Sequence, residues 1–238
     1  FAALVREYLG VPLQVQQRWP NTAQASRNWR TAVENVGVFT FKRSFEQNDI
    51  SGFCLHDEQF PVIVLNNSTA HARQIFTLFH ELGHLLFRVS GITHEGAAGA
   101  PGPRVHPVEV ACNRFAHEFL VPGAGFPWDE VRHARDLLET ITRIADRYNV
   151  SRLVILRKLR DHGSVSAARY RALAADLNAE YLARRTGDGG GGSYYATRAT
   201  YLGDAYLRLA FDQFHSGRVS LPELAEHLDV RARNVGKL

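Results

Sequence analysis

Residues 70–88 read AHARQIFTLFHELGHLLFR, and this stretch decides the fold. When it is wound as an α-helix, apolar residues occur on nearly every face, so we predict a helix that runs through the core rather than over it. Its polar residues therefore need a reason to be buried. Three of them belong to the motif H-E-x-x-H at residues 80–84.

This motif predicts a metal site. On an α-helix, His80 and His84 lie on one face about one turn apart, so both imidazoles can reach a single tetrahedral metal. Glu81 projects about 100° round from His80, where it can serve as the catalytic base for an attacking water. This composition gives the motif by chance only about 0.03 times per chain. The alternative is a core helix with two hydrogen-bonded histidines, which needs a buried partner for every polar atom.

Catalytic zinc usually has three protein ligands, so a third ligand must come from elsewhere in the chain. The sequence continues LLFRVSGITH (85–94), which excludes the metzincin extension and its third histidine. The remaining choice is a carboxylate. The candidates are Glu95 in a Gly-rich loop, and Glu109 and Glu118 on a following helix.

Glu109 is the carboxylate that the helical pattern favours. The apolar residues of Val108–Leu120 form a buried stripe, and Glu109 lies at its border beside Ala116, whose small side chain leaves room for a metal. Glu118 falls at the opposite border. The alternative for Glu109 is a solvated carboxylate at a helix start. One turn later, Asn113 can accept a hydrogen bond from a ligand imidazole and so fix its tautomer.

Three β-rich runs precede the metal helix: VGVFTF (36–41), ISGFCLH (50–56) and PVIVLNN (61–67). They predict a small antiparallel sheet packed on the active-site helix, in an α+β, zincin-like fold. Residues 90–107 are rich in Gly, Ala and Pro, which predicts a long surface loop. The remainder of the chain, beyond residue 128, is predicted to be helical.

The last of these runs is the predicted substrate site. We expect a substrate backbone to pair, as an additional strand, with four residues just before the metal helix: Val62, Ile63, Val64 and Leu65. A group that stabilises the oxyanion is also expected. His94, His106 and Tyr148 are the candidates, and the sequence does not select among them.

Two segments together resemble a known family. RQIFTLFHELGHLLF (73–87) followed by EVACNRFAHEFLVP (109–122) is similar to the ImmA/IrrE family of bacterial metallopeptidases, whose pattern is H-E-L-G-H, then E-x-x-A-N-x-F-A and a terminal Pro. Cys112 stands where that family commonly has Ala, and GGGGSYYATRATYLG (189–203) resembles its downstream half. The resemblance implies cleavage of a transcriptional repressor, with Zn²⁺ as cofactor, in stress response or mobile-element control.

The composition is that of an ordinary globular protein, with 45% hydrophobic and 22% charged residues among 238. No apolar stretch approaches the roughly 20 residues that a bilayer requires, so no membrane span is predicted. Cys54 and Cys112 lie in apolar segments and do not form a disulfide framework. We therefore expect a reducing compartment, the cytoplasm.

The C-terminal part carries the excess positive charge. Residues 151–238 contain 14 basic and 9 acidic side chains, an excess of +5. The segment IADRYNVSRLVILRKL (144–159) has the pattern of small and apolar residues that is typical of a helix-turn-helix, and LAEHLDVRARNVGKL (224–238) repeats this pattern. Basic residues on the second helix of the first unit could contact DNA phosphates: Arg152, Arg157 and Lys158. The alternative is a packed helical hairpin whose arginines lie on a solvated face.

These segments predict three parts: a zincin-like metallopeptidase domain (1–128), a helix-turn-helix-like subdomain (129–186), and a flexible Gly-rich segment with a C-terminal helical region (187–238). The leading hypothesis is a zinc endopeptidase that acts on a helix-turn-helix repressor. The alternative is a DNA-binding regulator whose zincin part is a non-catalytic or sensory module. Glu81 favours the enzyme, because a purely structural metal site needs no base between its histidines.

Overall fold

A computed structural model describes residues 1–45, 50–88, 91–94, 106–185 and 194–238, with the backbone alone at 91–94, 184 and 185. The predicted α+β fold is confirmed. The strands are β1 (Phe39–Arg43), β2 (Ile50–Leu55), β3 (Val62–Asn66) and β4 (Gly91–His94). The helices are α1 (Ala2–Tyr8), α2 (Leu13–Gln16), α3 (Thr22–Asn35), α4 (His71–Leu86), α5 (Pro107–Leu120), α6 (Trp128–Arg132), α7 (Leu137–Tyr148), α8 (Arg152–Asp161), α9 (Ala167–Arg185), α10 (Tyr194–Leu202), α11 (Asp204–His215) and α12 (Leu221–His227), followed by a C-terminal 3-10 helix (Ala232–Lys237).

Helix α4 lies in the centre of the protein, as its apolar pattern predicts. Every residue from Gln74 to Leu85 is buried. Phe79 stacks on Phe119 of α5 with ring centroids 4.0 Å apart. On another side, Trp29 of α3 packs edge-on against Phe79 at 4.9 Å. Because α3, α5 and the sheet all pack against α4, its polar residues are held in a fixed, largely dry environment.

The sheet has the order β1-β3-β2-β4 and is mixed rather than purely antiparallel. β2 pairs antiparallel with β3 and with β4, whereas β1 runs parallel to β3. The prediction of an antiparallel sheet is therefore wrong for this one pair. The β2–β3 hairpin adds to β1 through its second strand, so the two strands that are adjacent in sequence, β1 and β2, are not neighbours in the sheet.

The strand order also corrects the predicted substrate strand. Val62, Ile63, Val64 and Leu65 belong to β3, which is paired on both sides. An inner strand has no free backbone groups to offer to a peptide. β3 therefore cannot be the edge along which a substrate pairs, and its role is to carry core residues such as Ile63, which is fully buried.

The outer edge of β1 is covered by the C-terminal helices. Phe41 of β1 meets Tyr206 of α11 with ring centroids 5.3 Å apart, and the hydroxyls of Ser44 and Tyr201 lie 2.9 Å apart. Phe41 and Tyr206 pack against a second apolar cluster, formed mainly by α10–α12 and the 3-10 helix. The main apolar cluster extends from α1 to α9, so it crosses the predicted boundary after residue 128 without a break.

A buried ion pair joins the two clusters. Arg30 and Glu34 of α3 bind each other at 2.9 Å, and Arg30 also donates to the carbonyl oxygens of Thr40 and Thr200. Gly203 has φ +85°, and a Cβ there would overlap both Arg30 and Glu34. A glycine is therefore required where α10 turns into α11 against this ion pair.

Two segments are predicted to be loops, residues 90–107 and 187–193, and the structure describes only part of the first. The predicted loop over residues 90–107 contains a strand, β4, which the Gly-rich composition concealed; residues 95–105 lie outside the described part. The predicted flexible segment at 187–193 also lies outside it. Among the described helices, none is both long and apolar enough to cross a bilayer.

Candidate metal centre

Helix α4 presents the H-E-x-x-H motif toward α5. His80 and Glu81 have no exposed surface, and His84 is 1% exposed. The one-turn spacing places the two imidazoles side by side, with ring centroids 4.9 Å apart. Such burial requires that the polar atoms of these side chains find partners across the α4–α5 interface.

Helix α5 supplies partners for the two histidines because it starts at the right place and lies close to α4. His106 is its N-cap and Pro107 its first residue, which puts Glu109 in the first turn. Near Gly83 the two helices almost touch, since a Cβ on Gly83 would lie 3.2 Å from the Cα of Cys112. A glycine inside the motif thus allows the approach that brings Glu109 to the histidines.

Three side chains converge on one point. The Glu109 carboxylate places Oε2 3.2 Å from His80 Nε2 and Oε1 3.1 Å from His84 Nε2. The two Nε2 atoms are themselves 3.1 Å apart. One ligand atom from each of the three residues lies within 4.8 Å of the others, which is a separation that a single metal ion can bridge. The Glu109 side chain is 28% exposed, so the point is reached from one side by solvent.

A hydrogen bond to Asn113 indicates what this point can hold. Asn113 Oδ1 lies 3.1 Å from His80 Nδ1, so with the amide oxygen accepting, Nδ1 carries the proton and Nε2 keeps its lone pair. That lone pair then faces the carboxylate of Glu109. Two electron-rich groups at this distance repel each other unless a cation lies between them. The donor set therefore fits a metal ion.

The electrostatics of the interface are consistent with neutral imidazole and ionised carboxylate ligands. Burial, followed by the neighbouring His80, lowers the pKa of His84. The close polar contact with His80, at 3.2 Å, lowers the pKa of Glu109, against the opposing effect of burial. Burial raises the pKa of Cys112 to about 12, and the charges of Glu109 and Glu81 add to the rise. Cys112 thus remains a thiol, with Glu81 and Glu109 both within its electrostatic reach.

The other candidate carboxylates lie elsewhere or outside the described residues. Glu118, at the far end of α5, accepts from the backbone N–H of Gly123 at 2.9 Å and from Lys158 at 3.2 Å. Glu95 is outside the described part. Among the described residues, Glu109 is therefore the carboxylate that the structure brings to the two histidines.

None of the oxyanion candidates with a described side chain lies free at the centre. Tyr148 is fully buried, and its hydroxyl donates to the carbonyl of Gly125 at 3.3 Å. His106 is exposed and accepts from the N–H of Val108 at the start of α5. His94 lies on β4, whose side chains the structure does not describe.

The first segment with the helix-turn-helix pattern does form a hairpin, of α7 and α8, in which Ala145, Ile155 and Leu159 are buried. Its three predicted DNA contacts are engaged within the protein. Arg152 binds Glu180 at 2.6 Å, Arg157 binds Asp161 at 3.1 Å, and Lys158 donates to the carbonyl of Val121 at 2.6 Å. Their side chains are only 26%, 25% and 13% exposed. This arrangement favours the packed hairpin over a phosphate-binding helix.

A family model now places the chain among known proteins. The model of Peptidase_M78, the IrrE N-terminal-like domain, matches residues 33–160. This chain belongs to that family. The match covers 128 of 238 residues, starts in α3 and ends in α8, so it includes the whole candidate metal centre. Membership of this family supports the view that the chain is a metallopeptidase. No curated protein matches it significantly.

Gly83 also contributes to the centre, although the motif alone does not mark it as a functional residue. Its signal was present, because a glycine inside a buried helix costs about 1 kcal/mol of helix stability and usually has a packing reason. In the structure it is the contact point that sets the distance between α4 and α5.

Proposed function

We propose that this protein is a zinc endopeptidase of narrow specificity, and that its substrate is a helix-turn-helix transcriptional repressor. The observation that carries the enzymatic part is the Glu109 carboxylate facing the Nε2 atoms of His80 and His84 at 3.2 and 3.1 Å. Membership of the M78 family supports a peptidase. The repressor is the substrate that the resemblance to the ImmA/IrrE family implies.

The proposed ligands are His80, His84 and Glu109. Two imidazole nitrogens and one carboxylate oxygen are a donor set of catalytic zinc sites, which keep a further position open. When bound, the zinc ion would activate a water and polarise the scissile carbonyl. Asn113 orients His80 through the hydrogen bond to Nδ1, and so keeps Nε2 available as a ligand.

Glu81 is the proposed general base. Its carboxylate takes a proton from the attacking water and passes it to the leaving amine, which is the proton transfer that peptide hydrolysis needs. Glu81 follows His80 directly on α4, is fully buried, and acts electrostatically on Cys112 beside the centre. Because Glu81 is buried, bulk water has little access to its carboxylate.

Strand β4 is the proposed docking edge for the substrate backbone. The described sheet has two outer strands, β1 and β4, and β1 is covered by α10 and α11. β4 pairs with β2 alone among the described strands, and only residues 87–90 separate it from the end of the metal helix. A peptide added to β4 would gain backbone hydrogen bonds near the end of α4 that carries His84.

Cleavage tests the proposal directly. Purified protein is incubated with repressors encoded beside its gene, and fragments are identified by mass spectrometry. We expect one or a few cuts in one repressor by the wild type, none by Glu81→Gln, and loss of cleavage when a chelator is added. Metal analysis of the same samples should give about one zinc per chain in both proteins.

Glu81→Gln is a matched control because it keeps the size of the side chain and leaves all three proposed ligands intact. Equal cleavage by both proteins would remove Glu81 from the mechanism. Absence of zinc from wild-type protein purified without chelator would remove the metal from it. The DNA-binding alternative predicts retarded promoter fragments at low salt, which we do not expect from a hairpin whose cations are paired.

A further inference from the structure

A second group of ionisable side chains lies at the opposite end of α4 from the H-E-x-x-H motif. Lys42 of β1 pairs in parallel register with Leu65 of β3, a core residue that is 1% exposed. Paired residues of neighbouring strands point to the same face, so Lys42 points toward the face covered by α3 and α4. There its charge interacts with Arg27 of α3 and with His71, the first residue of α4.

Lys42 is buried without a counter-ion in the described part of the chain. It is 5% exposed, and no carboxylate among the described residues pairs with it. Burial, followed by the charges of Arg30 and Arg27, lowers the pKa of Lys42 to about 8. The nearby carboxylate, Glu34, already binds Arg30 at 2.9 Å and accepts from the backbone N–H of Ala205 at 3.3 Å. Lysine is almost never buried in this way unless it is paired.

The backbone adds further positive potential at the same place. Helix α4 has 16 residues, no side-chain cap at Ala70 and no acidic residue in its first turn. In the described part of the chain, no group accepts from the N–H groups of His71 and Ala72. The positive end of the helix dipole thus lies beside Lys42, Arg27 and His71, at the carboxyl ends of the parallel strands β1 and β3.

We propose that Arg27, Lys42 and the first N–H groups of α4 bind a phosphate group. The positive charges of Arg27 and Lys42, together with the helix dipole, match an anion with two negative charges better than a single carboxylate. Free N–H groups at a helix start also suit tetrahedral oxygens. Arg27 and His71 are exposed, which gives the anion a route from solvent to the buried Lys42. His71 precedes His80 by nine residues, or about 13 Å along the helix, so this site is separate from the metal centre.

Titration of inorganic phosphate tests the proposal. Thermal unfolding and calorimetry are recorded on the full chain in a chloride buffer, with ionic strength held constant. We expect a saturable rise in Tm for the wild type, and the same rise for His80→Ala, because the metal centre takes no part. Lys42→Met and Arg27→Gln should each weaken phosphate binding by at least about tenfold. Arg171→Gln, which removes an exposed charge on α9, is the matched control and should bind like the wild type.

Lys42→Met also has a distinct expected effect without phosphate. It should raise Tm, because it removes a buried and unpaired charge while it keeps the length of the side chain. A lower Tm in phosphate-free buffer would show that a carboxylate already pairs with Lys42, and would overturn the proposal. So would an equal phosphate response in wild type, Lys42→Met and Arg27→Gln, or no response at all. A parallel titration with phenyl phosphate identifies whether the free anion or a phosphate ester is the better ligand.

Discussion

The α4–α5 pair and the α7–α8 hairpin both carry clusters of ionisable side chains, but the clusters are arranged in opposite ways. In the α4–α5 pair, His80, His84 and Glu109 point at one another, and at least one lone pair faces a carboxylate. On α8, the cations are paired with groups of the protein: Arg157 and Arg160 share Asp161, and Lys158 binds Glu118 and a backbone carbonyl. The first arrangement needs a further charge to be stable, whereas the second is complete.

This difference separates a binding site from a structural surface. Ion pairs at a protein surface contribute little to stability, with a median near 0–1 kcal/mol. Because their charges are already paired, they offer little to a ligand. A convergent cluster of buried ligands is unstable alone and gains its free energy when an ion binds. Substitutions in the α4–α5 pair should therefore change metal binding, and those on α8 should not.

The largest effect is expected from the histidines. If the proposed zinc peptidase is correct, His80→Ala or His84→Ala should abolish zinc binding and lower peptidase activity by about 1000-fold or more, because each substitution removes a proposed ligand. Metal content by mass spectrometry and cleavage of the identified substrate check this. Lys158→Ala is the comparison from α8, and it should keep a full complement of zinc. Loss of zinc from Lys158→Ala would erase the distinction between the two regions.

The next effect is expected at Gly83, where α4 and α5 are closest. A Cβ at this position would lie 3.2 Å from the Cα of Cys112, so Gly83→Ala must push the helices apart by a few tenths of an ångström. We expect a loss of about 1–3 kcal/mol in the free energy of unfolding and weaker zinc binding, since Glu109 moves with α5.

Gly236→Ala in the C-terminal 3-10 helix is the matched control. A Cβ there meets no atom within 4 Å, so the unfolding free energy should be unchanged or slightly raised. Equal losses from the two substitutions would mean that the close approach of α4 and α5 does not determine the metal site.

Local patterns in the sequence predict which side chains cluster at the candidate metal centre better than they predict the sheet. His80, Glu81 and His84 follow from spacing within one helix, and Glu109 and Asn113 from the pattern of a second helix. The strand order is a long-range property, because β3 lies between β1 and β2 only after the hairpin has paired with β1. No local pattern marks Val62–Leu65 as an inner strand. The proposed phosphate site at Lys42 was likewise invisible, since Arg27, Lys42 and the start of α4 come from three separate elements.

His117 lies where the two regions meet, and it gives the protein a pH dependence. It is on α5, its ring packs against Phe76 at 5.0 Å, and its buried Nδ1 has no hydrogen-bond partner in the described structure. Burial lowers the pKa of His117 to about 4, and the charges of Arg157, Lys158 and Arg160 on α8 act in the same direction, against Asp161. The folded state therefore favours the neutral imidazole.

The sign of the effect follows from proton linkage. The pKa of His117 is about 4 in the folded state and 6.5 ordinarily, so between these values the unfolded chain binds more protons. Stability is lost as the pH falls below 6.5, and by pH 5 the loss due to His117 is about 2 kcal/mol. Denaturant unfolding of metal-free protein at pH 7.5 and 5 measures it. In His117→Leu this part of the loss should vanish, and an unchanged pH dependence would contradict the assignment.

The smallest effect is expected from Arg157→Gln, and its sign should depend on pH. At pH 7.5 the substitution removes a partly exposed (i, i+4) pair with Asp161, which contributes no more than about 0.5 kcal/mol. At pH 5 it also removes a positive charge that disfavours protonated His117, so the pKa of His117 should rise and part of the acid-induced loss should be recovered. Chevron or equilibrium unfolding at the two pH values resolves this, with Arg171→Gln as the control for a change of one charge. Zinc content should stay unchanged throughout, because the cation acts on His117 and its own partner, and not on the ligands of the α4–α5 pair.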